Sequence, residues 1–205
     1  MKFYALWISL ICVLMFIIQI SVSGTTEKFL LNSKSLEEPY RFITSIFLHA
    51  SPQHLIFNMF ALIFFGLVAE KILGSNKFLL TFLTSGIIAN LFAFLFYPSS
   101  LGASGAIYGI IGLLTIIRPF MIVWAFSLPM PLVLASILWA IGDIIQTFTP
   151  SNIGTIAHLS GLAAGMTTGI IIRLSTTISY KLKNNQKIKI PEEYIREWER
   201  NYFNL

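Results

Sequence analysis

Residues 102–117 read Gly102-Ala103-Ser104-Gly105-Ala106-Ile107-Tyr108-Gly109-Ile110-Ile111-Gly112-Leu113-Leu114-Thr115-Ile116-Ile117. The stretch carries no charge, and Gly105, Gly109 and Gly112 recur at the spacing of one helical face. It is apolar enough to enter a bilayer, yet shorter than the about 20 residues that cross one. A short helix with a polar start leaves space above that start, and water can fill it. Five further apolar runs flank this one: Phe3 to Ser21, His54 to Ala69, Phe78 to Tyr97, Pro131 to Phe148 and Ile153 to Leu174. The second run is short as well. The chain is 56% hydrophobic and 11% charged, whereas soluble domains carry about 25% charged residues. The expected fold is therefore an all-α integral membrane protein. Residues 1–175 form a bundle of six transmembrane helices with a long first extracytoplasmic loop, and 176–205 form a short polar tail.

The formal net charge is +5, but the basic residues form no folded basic face. They sit at the ends of apolar runs and in the tail, where anionic lipid headgroups rather than nucleic acid are the expected partners. The single cysteine, Cys12, lies inside an apolar run, so no disulfide forms within the chain. Phe3 to Ser21 exceeds the about 7 to 15 apolar residues of a signal peptide and reads as a retained helix. With the N-terminus inside, Lys2, Lys71, Lys77, Arg118, Arg173 and the basic tail from Lys181 to Arg200 all fall in the cytoplasm. Only Lys28, Lys34 and Arg41 fall outside, in the first loop. This places the chain in the cell membrane, multi-pass, with both termini cytoplasmic. Residues Arg118 to Pro129, interrupted by prolines, read as an interfacial connection. The tail, with Trp198, Tyr202 and Phe203 among charges, suits either an amphipathic helix or a mobile segment.

Ionisable groups within spans are costly and tend to be functional. All three histidines, His49, His54 and His158, map to the outer half. Ser104 begins the fourth span among small neighbours that admit a close approach. It reads as a nucleophile or as a packing residue. His158 begins the sixth, with Gly161 and Gly165 below it on a small-residue face that matches the one below Ser104. Two such faces bring the fourth and sixth helices together and put Ser104 and His158 at similar depth, within reach of base-assisted nucleophilic chemistry. Tyr108, four residues after Ser104, shares its face and either contacts the imidazole or simply packs. His54 and Asn58, also four apart, either hold an oxyanion or join helices. His49 anchors the first loop. Asp143 either orients His158 as a third catalytic member or bonds a neighbouring helix.

Together these residues resemble the rhomboid family of intramembrane proteases. Gly102-Ala103-Ser104-Gly105 is similar to its GxSG nucleophile motif, followed by Tyr108. Ala157-His158 with Gly161 and Gly165 is similar to its AHxxGxxxG helix. His49 to Asn58 is similar to its HxxxxHxxxN segment. Tyr40-Arg41 stands where the family often has Trp-Arg, and Glu70-Lys71-Ile72-Leu73-Gly74 is similar to its second-helix ending. The resemblance runs from about Tyr40 to Leu174 and suits the prokaryotic six-helix type.

It implies a serine endopeptidase with a Ser104–His158 dyad. His54, Asn58 and the Ser104 backbone amide would form the oxyanion hole, with Tyr108, His49, Gly102, Gly105, Gly161 and Gly165 in support. Arg41, Glu70 and Asp143 would be structural. Transmembrane protein substrates and membrane lipids would be the partners, with no cofactor and no metal. Three other readings compete: a small transporter, against which no paired half-repeats are found; a catalytically inactive relative that binds client helices; and a metallohydrolase using the histidines. Against the last, His49 and His54 are five apart rather than the helical four.

Overall fold

The computed structural model describes residues 1–149, 154–185, 192–193, 196–197 and 200. Six long helices carry the architecture: α1 (Tyr4–Ser21), α2 (Pro52–Leu73), α3 (Ser75–Phe96), α4 (Ser104–Ile117), α5 (Leu132–Thr147) and α6 (Thr155–Asn185). The chain forms two compact units, Met1–Ile170 and Ile171–Leu205, and the site described below lies within the first. Four of the helices, α1, α2, α3 and α6 over Thr155–Thr176, are long and apolar enough to cross a membrane. With α4 at 14 residues and α5 at 16, they make a multi-pass membrane bundle. The polar tail, including Trp198, Tyr202 and Phe203, lies mostly outside the described residues.

The second helix is not short. It starts at Pro52 and ends at Leu73, 22 residues in all, passing through Glu70 and Lys71. Ser51 caps its start by accepting from the His54 amide at 3.1 Å. An apolar count stops at Glu70 because a carboxylate there looks like a membrane boundary. The structure instead buries Glu70 completely. Its carboxylate accepts from the backbone amides of Tyr4 (3.1 Å) and Ala5 (3.2 Å) and from the Ser75 hydroxyl (2.6 Å). Those amides are orphan donors at the start of α1, where negative charge is favoured. Glu70 thus ties the start of α1 to the junction of α2 and α3. Glu70→Ala is expected to lower unfolding free energy in detergent by about 3 kcal/mol, because buried donors lose a charged acceptor. Chemical denaturation of the purified variant measures it.

The first loop is ordered by its own hydrogen bonds. Strand β1 (Leu31–Asn32) pairs antiparallel with β2 (Ser99–Ser100), which joins the loop to the segment leading into α4. Arg41 is buried, and its Nη1 donates to the carbonyls of Glu27 (2.8 Å) and Leu30 (2.9 Å) while Nε donates to Glu38. Between α4 and α5 the proline-interrupted connection is a regular hairpin: β3 (Ile122–Ala125) pairs with β4 (Leu128–Pro131). Phe126 and Ser127 both take positive φ at its tip, the twist that suits two-residue hairpins. Pro129 and Pro131 are tolerated because β4 is an edge strand.

At the centre is α4, buried along nearly its whole length. Its glycines let backbones meet. A Cβ on Gly161 would fall on the Gly105 carbonyl, one on Gly165 on the Gly109 carbonyl, and one on Gly112 on the Leu162 carbonyl. On the other side, Ala89 and Ser85 of α3 occupy the space over Gly105 and Gly109. Without a hydrophobic drive between helices in lipid, such close packing is what holds them.

Candidate active site

The starts of α2, α4 and α6, the end of α3 and the middle of α5 (at Trp139) surround a cavity of about 1100 Å³. Ser104, His54, Asn58, Tyr108 and His158 all line it. The Ser104 Oγ lies 2.9 Å from Nε2 of His158. The glycine contacts between α4 and α6 set that distance, because they fix both the separation and the register of the two helices. Tyr108 stacks flat on the His158 ring, with centroids 4.4 Å apart and planes 9° from parallel. On the far side of the imidazole, Nδ1 lies 3.3 Å from both carboxylate oxygens of Asp143. A proton on Nδ1 satisfies both contacts: Nδ1 donates to Asp143, and Nε2 accepts from the Ser104 hydroxyl. A hydroxyl bonded to a neutral imidazole can pass its proton as it attacks.

His54 and Asn58 line the same cavity from α2. Gly102 has φ +127°, and a Cβ there would lie 2.7 Å from the His54 ring. Glycine therefore serves both the turn and the close approach. The Asn58 Nδ2 is buried and, among the described residues, donates to no protein acceptor. An unpaired buried donor is costly, so its place beside the cavity leaves it ready to meet an acceptor there.

His49 sits behind His54, ring centroids 5.1 Å apart, edge to face. Its amide donates to Gln19 Oε1 at 3.0 Å, and Gln19 Nε2 donates to its carbonyl at 3.3 Å. Burial, and next the neighbouring His54, pushes the His49 imidazole down from 6.5 to about 4, with the Phe47 backbone pulling weakly the other way. Above pH 6.5 folded and unfolded states are both neutral here, so stability is full. Below it the unfolded chain binds a proton that the fold refuses, and stability falls until about pH 4. The loss is expected to be on the order of 3 kcal/mol. His49→Phe is expected to remove that part of the acid sensitivity, as read from unfolding midpoints at pH 7 and 4.5.

Several residues that position the site do not stand out in the sequence. Asn90 on α3 donates to the Phe42 carbonyl (2.8 Å) and the Ser45 hydroxyl (2.9 Å). The Ser45 carbonyl in turn accepts from the Gly102 amide at 2.9 Å, just before Ser104. The Tyr97 hydroxyl accepts from the Ile156 amide at 3.0 Å, fixing the start of α6 two residues before His158. The one signal in the sequence is a polar side chain, Asn90, deep in an otherwise apolar run.

The Rhomboid domain family matches residues 36–175, which covers every side chain of the site, and the chain belongs to the rhomboid family. It is 35% identical over 135 residues to the putative rhomboid protease YdcA of Bacillus subtilis, covering 62% of this chain and 64% of YdcA. Identity to the B. subtilis rhomboid protease GluP is 37% over 121 residues, covering 55% of this chain and 24% of GluP. Identity to the rhomboid protease GlpG of Yersinia pseudotuberculosis is 30% over 136 residues, 66% of this chain and 49% of GlpG. The chain thus spans less than two thirds of the length of these relatives.

Proposed function

We propose that this chain is a serine-type intramembrane endopeptidase that cuts single-span membrane proteins near the outer membrane face. The observation that carries the proposal is the 2.9 Å contact between Ser104 Oγ and His158 Nε2, beside a cavity among apolar helices. Ser104 attacks the scissile carbonyl while His158 takes its proton. The C–N bond then breaks, His158 protonates the leaving amine, and water, activated by His158, releases the new carboxylate from Ser104. His54, Asn58 and the Ser104 amide stabilise the oxyanion, each donor contributing roughly 3 kcal/mol. The substrate helix enters sideways between α2 and α5. That seam carries the edge-to-face contact of Phe65 with Trp139, which a moving α5 can release.

The test is cleavage of a single-span reporter by purified protein, comparing the native chain, Ser104→Ala and His158→Ala, each with and without a chelator. Cutting by the native chain alone, indifferent to chelator, supports the serine protease. Inhibition by chelator favours metal chemistry at the histidines. Absence of cutting across several reporters favours a client-binding relative.

A further inference from the structure

Asp143 is a buried carboxylate on an apolar helix, 6% exposed. A charge in such a place is costly unless it is paired. Glu70 resolves the same problem through three donors that tie helices together. Asp143 does not. Its partner belongs to the site instead. Nδ1 of His158 lies at 3.3 Å from each oxygen. Among the described residues, Oδ2 makes no hydrogen bond beyond its pairing with His158. Thr147, one turn along, donates to the Asp143 backbone carbonyl rather than to its carboxylate. The register between the helices is separately fixed. The hydroxyls of Thr147 and Thr155 lie 2.7 Å apart. Thr147 follows Asp143 by four residues and Thr155 precedes His158 by three, so on antiparallel helices this contact holds the carboxylate level with the imidazole.

Building on the Ser104–His158 reading, we propose that Asp143 is a positioning residue that orients His158 for the Ser104–His158 pair from behind the imidazole. Accepting from Nδ1, it selects the tautomer whose Nε2 is free to accept from Ser104. It also stabilises the imidazolium that forms when Ser104 gives up its proton. Asp143 itself exchanges no proton and touches no substrate. Tyr108 holds the ring plane from one face and Asp143 holds its rotation within that plane. The groups facing His158 are His54 from α2, Ser104 and Tyr108 from α4, and Asp143 from α5.

The experiment compares the native chain with Asp143→Ala and the isosteric Asp143→Asn, using Ser104→Ala as the inactive reference. Three readouts are taken: kcat and KM on a single-span reporter, the rate of fluorophosphonate labelling, and the ring ¹⁵N spectrum of histidine-labelled protein. The last is tractable because the chain has only three histidines. The expected result is a fall in kcat and in labelling rate of about 100-fold or more for both variants, with KM within about twofold. The His158 ring nitrogens should also move from the Nδ1–H form toward the Nε2–H form. The proposal is overturned if either variant, folded, keeps kcat within about threefold and the native His158 spectrum. It is equally overturned if the variants lose only thermal stability while activity per folded molecule holds. In both cases an inactive Ser104→Ala leaves the two-residue reading standing, whereas a native chain no faster than Ser104→Ala defeats that reading itself.

Discussion

Ser104→Ala is expected to lower kcat for reporter cleavage by at least about 10⁴-fold, with the fold intact. The alanine methyl fits where the hydroxymethyl stood, since Ser104 packs among small neighbours at the start of α4. What disappears is the oxygen that lies 2.9 Å from His158 Nε2. His158→Ala should match it closely, because a serine without its base is a weak nucleophile. The double variant should be little worse than either single one, since residues that act as a unit lose their contribution together. Single-turnover assays with enzyme in excess measure the residual rates.

The second large effect is structural in origin and catalytic in consequence. Gly165→Val is expected to destabilise the bundle by at least about 3 kcal/mol and to abolish detectable cleavage. A Cβ at Gly165 falls on the backbone carbonyl of Gly109, and backbone cannot step aside as a flexible side chain can. Helices α4 and α6 must separate or slide, and the Ser104–His158 contact is carried by those two helices. A displacement of about 1 Å costs on the order of 100-fold in rate. By contrast, no described residue lies within 4 Å of a Cβ built on Gly142, so Gly142→Ala should leave both stability and activity near native. Unfolding midpoints and cleavage rates of the pair separate packing from a general intolerance of substitution.

Much of this arrangement is legible in the amino-acid sequence. Glycines at helical spacing in two apolar runs, each starting with a polar residue, imply two helices in backbone contact with Ser104 and His158 level. The structure brings those residues together, with Tyr108 stacked against the imidazole. The limits of the reading are physical. Glu70 reads as a helix end because sequence does not show that the start of α1 supplies its donors. The hairpin between α4 and α5 reads as irregular because its alternation has no polar contrast: Ile122, Trp124 and Leu128 point outward while Val123, Ala125 and Met130 point inward, and both faces are apolar. Asp143 is compatible with two roles in sequence because the rotation of α5 is set by Thr147 and Thr155, across a loop whose geometry sequence does not fix. Asn90 gives little away because its partners, the Phe42 carbonyl and the Ser45 hydroxyl, lie 48 and 45 residues earlier in a loop.

The most direct test of the account is covalent. The native protein, Ser104→Ala and His158→Ala would each be treated with a fluorophosphonate, digested and mapped by mass spectrometry. The account predicts one phosphonylated peptide, modified at Ser104, formed rapidly in the native chain, absent in Ser104→Ala and at least about 100-fold slower in His158→Ala. An adduct at another residue, or cleavage by a native chain whose Ser104 stays unmodified and dispensable, would contradict it.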